Sequence, residues 1–562
     1  MKNSIFYNLI LGIISGFPFR KVRNISFALY QYLLNLYSIK IFFYMCFLLL
    51  FTFFLYSCDY TKSNATSIYF STASISNNLV TRSLSTLEIS WSLLINHVYK
   101  YELKIYLSKD DVLDKDDEVL YESVFSDSQG VLTFYSGDYL IDRLLSVYPN
   151  RYFLILKAIA LSPSGEELYD ENHRLIYDEY YLPLTVVSPK KKWTIMIYMD
   201  GDNSLSSETT YDLGEIEQIG SSDQVNIVVL CDWKWSSARL YYVLPDDFIE
   251  LQNLGEIDMS DPRNLVDFAR FVFDTYPAEH YFLILWDHGW GFKPARRDLL
   301  EDDNPELSWM DIPTLGRALQ SVRDILGRPL DMVGFDACLM DMLEVAYQLR
   351  SAAFLMIASE NYEWGPGWNY FHVLSPIVCD PDMSPYVFAQ KVVEAFAQEY
   401  QGEEDATLAA IELTKIAAIR EALDNLVSSL DLNNNPDRID LLTGTIFDQV
   451  QRFDDGEGWG MSPDDDSYVD LYHLMQLIGQ NIPDVQTEAS AVASAISNAV
   501  LANWYSSPSV SQAHGLSIWF PNPFIYVPEE WQFYWDHYKD LSFANDSLWP
   551  EFLLNLWGLS AY

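Results

Sequence analysis

Between residues 65 and 188 apolar and polar positions alternate. In YKYELKIYLS, Tyr101, Leu103, Ile105 and Leu107 fall on one face while Glu102, Lys104 and Tyr106 fall on the other, the period of two that a half-buried strand imposes. LEISWSLLI, VLTFYSG, RYFLILKAIAL and YYLPLTVVS repeat the alternation between clusters of Asp, Gly, Ser and Pro, with no convincing helical period between them. The pattern predicts an all-β sandwich domain over residues 65–188, followed by a linker, SPKKK, at Ser188 to Lys192.

At Trp193 the pattern changes. Short unbroken apolar runs (WTIMIYMD, VNIVVLCDW, HYFLILWDH, DMVGFDAC, AAFLMIASE) alternate with helical periods such as TTYDLGEIEQI, PRNLVDFARFVFDTY and IPTLGRALQSVRDIL. Strands that are apolar on both faces, separated by amphipathic helices, predict an α/β domain over 193–400 with a mostly parallel sheet covered on both faces. From about Pro385 helices dominate, and residues 401–562 are expected to form a helix-rich C-terminal portion with ATLAAIEL and GLSIWFP as further strands. In such sheets ligands sit beyond the carboxyl ends of the strands. Asp200, Asp232, His288, Cys338 and Glu360 all fall at those ends.

The N-terminus is a separate object. Residues 1–57 contain Lys2, Arg20, Lys21, Arg23 and Lys40 and no acidic residue, whereas the whole chain carries 35 Lys and Arg against 79 Asp and Glu, a net charge of −44. After Lys40 comes IFFYMCFLLLFTFFLYSC, the apolar core of a secretion signal, ending in Ser57 and Cys58 like a bacterial lipobox. The expected layout is a leader at 1–57, an acylated Cys58 and a tether at 58–64, giving an exported envelope lipoprotein; the alternative is an uncleaved transmembrane anchor. The leader is long enough to place a start codon downstream of Met1. A surface this acidic repels phosphate backbones, which excludes nucleic acid as a partner. With Cys46 in the leader and Cys58 acylated, Cys231, Cys338 and Cys379 remain, so one thiol stays unpaired.

His288 and Cys338 stand in matching positions about fifty residues apart. A thiol needs a base or a positive field to act as thiolate. Cys338 precedes LMDMLEVAYQL, a predicted helix whose first amides would favour the anion, and His288 is placed to accept its proton. Gly289, without a Cβ, lets its N–H approach a reacting carbonyl and pair with the N–H of Cys338 as an oxyanion hole. Cys231 and Cys379 read instead as small apolar residues. A second His-Gly pair, His514 and Gly515, precedes its strand and reads as structural.

WTIMIYMDGDNSL, ILWDHGWG, GFDACLMDMLEVAYQL, ASENYEWGPGWNY, YVDLYHL and GLSIWFP occur in the order found in clostripain-like cysteine peptidases, relatives of caspases, gingipains and legumain. The resemblance runs from about Trp193 to Trp549. It implies a caspase-like fold, His288 as general base and acid, Cys338 as nucleophile, Gly289 and Cys338 as oxyanion amides, and polypeptide substrates. Where members that prefer Arg or Lys carry Pro-Gly-Asp-Gly-Trp, this chain has Trp364, Gly365, Pro366, Gly367 and Trp368. Pro366 thus replaces an acidic residue at the floor of the S1 pocket, leaving Asp336 and, more remotely, Glu360 to attract a basic side chain. A cation desolvated without a well-placed carboxylate costs on the order of several kcal/mol, which tilts the expectation toward an uncharged pocket. The resemblance also implies activation by cleavage between the histidine and cysteine strands, where Lys293, Arg296 and Arg297 stand in GFKPARRDLLEDDNPELSW.

No cofactor is required by this chemistry. Calcium enters through the resemblance alone, with Asp464, Asp465 and Asp466 as its weak candidates, because adjacent aspartates are more often a solvated loop than a six-oxygen cage. Two rival functions are a surface-binding lipoprotein with an idle peptidase fold and a transpeptidase that uses the same dyad.

Overall fold

The computed structural model describes residues 65–559 apart from 77, 82–85, 111, 116, 137, 294–298, 305, 364, 404, 454–465 and 526–527. The leader, Cys58, the tether, Arg296, Arg297, Asp464 and Asp465 lie outside the described residues. Among the described residues no helix is long and apolar enough to cross a membrane.

The N-terminal strands are β1 (Ser67–Ile75), β2 (Leu79–Val80), β3 (Thr86–Asn96), β4 (Lys100–Ser108), β5 (Glu118–Phe125), β6 (Gln129–Tyr135), β7 (Asn150–Leu161) and β8 (Tyr177–Val186). They form two sheets, ordered β1-β3-β6 and β2-β8-β7-β4-β5. The alternation read from the sequence is the inside and outside of these sheets: Tyr101, Leu103, Ile105 and Leu107 of β4 are buried in one core with Leu87, Ile89 and Trp91 of β3. One short helix, Tyr139–Ser146, interrupts the strands where none was expected.

SPKKK is not a free linker. The Ser188 N–H donates to Thr275 O at 2.7 Å, and Lys191 already pairs with Ala278 inside the next sheet. Asn150 Nδ2 donates to Leu251 O at 2.8 Å and Tyr276 OH to Pro149 O at 2.6 Å, so buried polar bonds tie the β segment to the α/β domain.

The sheet of that α/β domain has nine strands. Its members are β9 (Lys191–Gly201), β10 (Val225–Trp233), β11 (Ser236–Leu244), β12 (Asp247–Gly255), β13 (Ala278–Trp286), β16 (Leu330–Asp336), β17 (Ala353–Ala358), β18 (Thr407–Glu412) and β21 (Val500–Tyr505), in the order β12-β11-β10-β9-β13-β16-β17-β18-β21. The intervening β14 (Leu299–Asp302) and β15 (Ser308–Met310) form a separate hairpin, and β19 (Arg452–Phe453), β20 (Tyr468–Asp470) and β22 (Ser517–Trp519) a third small sheet.

The large sheet is mixed rather than mostly parallel. Strands β10, β9, β13, β16 and β17 run parallel, and an antiparallel pair extends each edge. Since β18 and β21 belong to it, residue 400 is not a boundary in the fold. GLSIWFP supplies β22 of the small sheet instead of a strand of the large one.

Unbroken apolar runs result from burial on both faces. Along β9, Ile195, Ile197 and Met199 point into a core shared with helices Ser206–Ile219 and Pro385–Glu399, while Met196 and Tyr198 point into the opposite core with helices Pro262–Thr275 and Ile312–Leu326. Asp261 and Asp311 cap the last two helices by accepting from Arg263 N and Thr314 N, each followed by proline in the first turn.

Candidate active site

Strands β13 and β16 lie side by side and parallel, with Trp286 paired to Asp336. His288 and Cys338 each stand two residues beyond that pair, which is why they occupy matching positions along the chain. The two loops then touch. A Cβ added to Gly289 would sit 2.3 Å from Cys338 O and 3.1 Å from Cys338 N, so only glycine allows this approach.

The loop after β9 holds the histidine. Ser204 Oγ lies 2.8 Å from His288 Nε2. Asn203 beneath it is buried and donates from Nδ2 to Asp287 Oδ1 at 2.7 Å and to Glu301 O at 2.9 Å, and Glu301 N donates to Asp287 Oδ2. The strand ends of β9 and β13 and the start of β14 are thus stitched together by one amide and one carboxylate.

His288 and Cys338 share a cavity of about 270 Å³ with Leu205, Trp290, Tyr362 and Glu363. The sequence pattern placed Cys338 at a helix start. The helix instead begins at Leu343, because Leu339 takes a left-handed φ of 62° and Asp341 and Met342 run extended against Ser359 and Ser517. The helix dipole expected at Cys338 therefore does not begin there. Burial pushes the thiol up to about 12, and the carboxyl groups of Glu363 and Asp336 push the same way. The Glu363 N–H, donating to Sγ at 3.2 Å, works in the opposite direction. At neutral pH the resting group is a thiol.

Asp336 closes the floor of the cavity. It accepts from Trp368 N at 3.1 Å and Tyr370 OH at 2.9 Å, and burial raises it to about 7. Gly367, at φ 59°, passes so close that a Cβ would meet Asp336 Oδ1 at 2.6 Å. Glu363 stands beside Asp336, held well above the usual carboxylate range by burial and by that neighbour. Its carboxyl oxygens are buried and meet no donor at hydrogen-bond geometry, with Asp336 and the Trp368 indole as their polar neighbours.

Two expected S1 residues are elsewhere. Glu360 is buried away from the cavity, where it accepts from Gly515 N at 2.8 Å and adjoins Asp341 and Asp470. Pro366 is exposed, and its neighbours Gly365 and Gly367 line the cavity in its stead. His514 pairs with Asp470 at 3.1 Å and stacks on Tyr472, also outside the cavity.

The profile of the clostripain family matches residues 197–557, well over half of the chain. The chain belongs to the clostripain family. It is a cysteine endopeptidase. Clostripain from Hathewaya histolytica is 26% identical over 406 residues, which cover 59% of this chain and 75% of that one. The structure of an inactive zymogen C11 protease from Parabacteroides distasonis aligns with TM-score 0.51 and 20% identity, covering 64% of this chain and 99% of that one, a likeness of fold. A secreted C11 cysteine protease from Bacteroides thetaiotaomicron in complex with an irreversible peptide inhibitor is 24% identical at TM-score 0.49, covering 62% and 99%.

Sequence reasoning missed two residues of this clostripain-family site. Glu363 was passed over for Glu360, although it stands nearer the Gly-Pro-Gly turn and its amide touches the thiol. Ser204 sits in a motif already singled out, yet nothing in spacing shows a hydroxyl meeting a ring nitrogen 84 residues away. Of the aspartate run considered for calcium, Asp466 is described, and its carbonyl accepts from Arg452.

Proposed function

We propose that this clostripain-family endopeptidase cuts after basic residues through a Cys338–His288 dyad. Its support is the acidic pair beside the cavity: Glu363 and Asp336 both line it, and the buried Glu363 oxygens have no donor, so a cationic side chain entering here meets two carboxyl groups and no competing cation among the lining residues. This reverses the uncharged pocket suggested by Pro366. A peptide panel differing only at P1 is expected to be cut after Arg and Lys; preferential cleavage after uncharged residues would overturn the assignment.

The chemistry is set by the thiol's environment. As Sγ attacks the scissile carbonyl carbon, His288 takes its proton, and the new oxyanion meets the N–H groups of Gly289 and Cys338. Collapse breaks the C–N bond, His288 returns the proton to the leaving amine, and a thioester on Cys338 remains for water to hydrolyse. The carboxyl groups of Glu363 and Asp336 disfavour the thiolate in the empty site. A cationic P1 side chain neutralises them, so a correct substrate also eases ionisation of the nucleophile.

In this scheme Ser204 Oγ accepts a hydrogen bond from Nε2–H and fixes the tautomer that carries its lone pair on Nδ1. It is a positioning residue. Ser204→Ala is expected to lower kcat about tenfold with little change in KM, and Ser204→Thr to restore it. Equal losses in both variants would assign Ser204 a purely steric role.

For location, the leader and Cys58 support an exported, lipid-anchored protein with the β segment between anchor and peptidase. Native protein should partition into detergent and the Cys58→Ser form accumulate as precursor. Identical soluble products would exclude the anchor. Arg296 and Arg297 remain the proposed self-processing positions, which a basic S1 preference now favours over survival of the loop; Lys293, expected in the same exposed stretch, is instead buried with its Nζ over the rings of Tyr468 and Tyr534.

A further inference from the structure

We propose that Glu360 is a positioning residue for the Cys338–His288 chemistry, on which this role rests: held by Asp470 and by the second His-Gly pair, it sets the turn at 359–363 whose backbone fixes Cys338. That turn touches the nucleophile twice. Leu339 N donates to Asn361 O at 3.1 Å, and Glu363 N donates to Cys338 Sγ at 3.2 Å. A hydrogen bond to sulfur favours the thiolate over the thiol, so the seat of the Glu363 amide decides part of the reactivity of Cys338.

Glu360 points away from the cavity. Its buried carboxyl accepts from Gly515 N at 2.8 Å and adjoins Asp470 and Asp341, both fully buried. Gly515 has no room to turn its N–H elsewhere: at φ 90° its backbone lies against β18, where a Cβ would sit 2.7 Å from that of Ala409. The strap that carries it, residues 512–517, continues along the nucleophile's own loop, with Ser517 N donating to Asp341 O and Asp341 N to Ser359 O, each at 2.9 Å. Glu360 thus closes a circuit from the strap through the turn to Cys338. Three buried carboxyl groups side by side do not favour stability, and both oxygens of Asp341 meet no donor. A hydrocarbon would fill the space of Glu360 at least as stably, but it would leave the Gly515 N–H without an acceptor.

Burial, then Asp470 and Asp341, hold Glu360 well above the usual carboxylate range. A neutral carboxyl accepts through one oxygen and donates through the other, so it bridges the Gly515 N–H and the Asp470 carboxylate. Asp470 is itself fixed. It accepts from His514 N at 2.6 Å and His473 N at 2.5 Å, and its Oδ1 lies 3.1 Å from His514 Nδ1. Gln512 O faces the same Nδ1 at 2.7 Å. Both partners are acceptors, so Nδ1 carries a proton. The imidazole therefore serves Asp470 as a donor, with Tyr472 stacked on its ring to hold it there.

The test compares the full-length parent with Glu360→Leu, Glu360→Gln, His514→Ala and His514→Asn. Turnover of a basic-P1 peptide is measured beside the alkylation of Cys338 and Cys231 by iodoacetamide, which reads the thiol without any P1 contact. Glu360→Leu is expected to lose at least about tenfold in kcat and in Cys338 alkylation while Cys231 stays unlabelled. Glu360→Gln keeps an acceptor and a donor and should recover both rates to within about threefold of the parent. His514→Asn, with an amide nitrogen in place of Nδ1, should likewise exceed His514→Ala. Parent rates in Glu360→Leu, or equal losses in the Leu and Gln forms, would overturn the role. If Cys231 becomes reactive in Glu360→Leu, the fold has opened and the histidine pair decides instead: equal losses in His514→Ala and His514→Asn overturn the role. A parent that alkylates at Cys338 but cuts no peptide would overturn the dyad, and this role with it.

Discussion

Replacing Cys338 with Ala should lower turnover of a basic-P1 peptide by about 10⁴-fold or more while leaving the melting temperature close to that of the parent. The thiol occupies a cavity wall rather than the core, so its loss removes the bond-forming atom and little packing. His288→Ala should cost nearly as much. Burial raises the thiol to about 12, and the helix expected at Cys338 begins only at Leu343, so the resting site favours the thiol over the thiolate. The proton must therefore leave to a base during attack. Members of one cooperating unit do not contribute additively, so the double variant should be no worse than either single one. Substantial residual turnover in Cys338→Ala would end the mechanism.

The second large effect belongs to Glu363. Glu363→Gln should reduce kcat/KM for Arg and Lys substrates by about 10²- to 10³-fold, since a buried cation loses its paired charge, and should change neutral-P1 peptides little. The pH dependence has a definite sign. Burial holds Asp336 at about 7 and Glu363 well above its ordinary range. Protonated carboxyls do not attract a cation, so kcat/KM for basic substrates rises as pH climbs through about 7. In Glu363→Gln that rise should shrink. A parent enzyme whose preference for basic P1 is independent of pH between 6 and 8 would contradict the role given to this pair.

The parallel core was legible because burial on both faces leaves an unmistakable mark: VNIVVLCDW is β10, residue for residue, and IPTLGRALQSVRDIL is helix Ile312–Leu326. The hairpin β11–β12 was not foreseen, although Ala238, Leu240 and Tyr242 alternate as buried positions ahead of the turn at Pro245. It lies at the antiparallel edge, where the apolar signal is half as dense. The extent of the sheet past residue 400 was also hidden. ATLAAIEL looked like a strand, but nothing local says that β18 pairs antiparallel with β17, or that β21 lies beside it.

At the site, local sequence singled out His288, Cys338 and Asp336, which line one cavity, and Gly289, which abuts Cys338. It failed where the answer depends on contacts between distant segments. The helix expected at Leu339 yields to extended pairing with Ser359 and Ser517, and that removes the dipole assigned to the thiolate. Glu360 and Glu363 are three residues apart, yet one turns toward Gly515 and the other toward Cys338. Composition cannot separate them; only the path of the backbone after β17 does.

Activation of Cys338 by its neighbours can be measured against controls that the protein itself carries. Cys231 is buried, whereas Cys379 is exposed. The rate of covalent labelling of each thiol is read by peptide mass spectrometry, with a peptidyl electrophile carrying Arg at P1 at neutral pH. An activated nucleophile predicts that Cys338 reacts far faster than Cys379 despite its lesser exposure, that Cys231 stays unlabelled, and that His288→Ala brings Cys338 down to the Cys379 rate or below. Labelling that simply tracks exposure, with Cys379 first and Cys338 indifferent to His288, would contradict it.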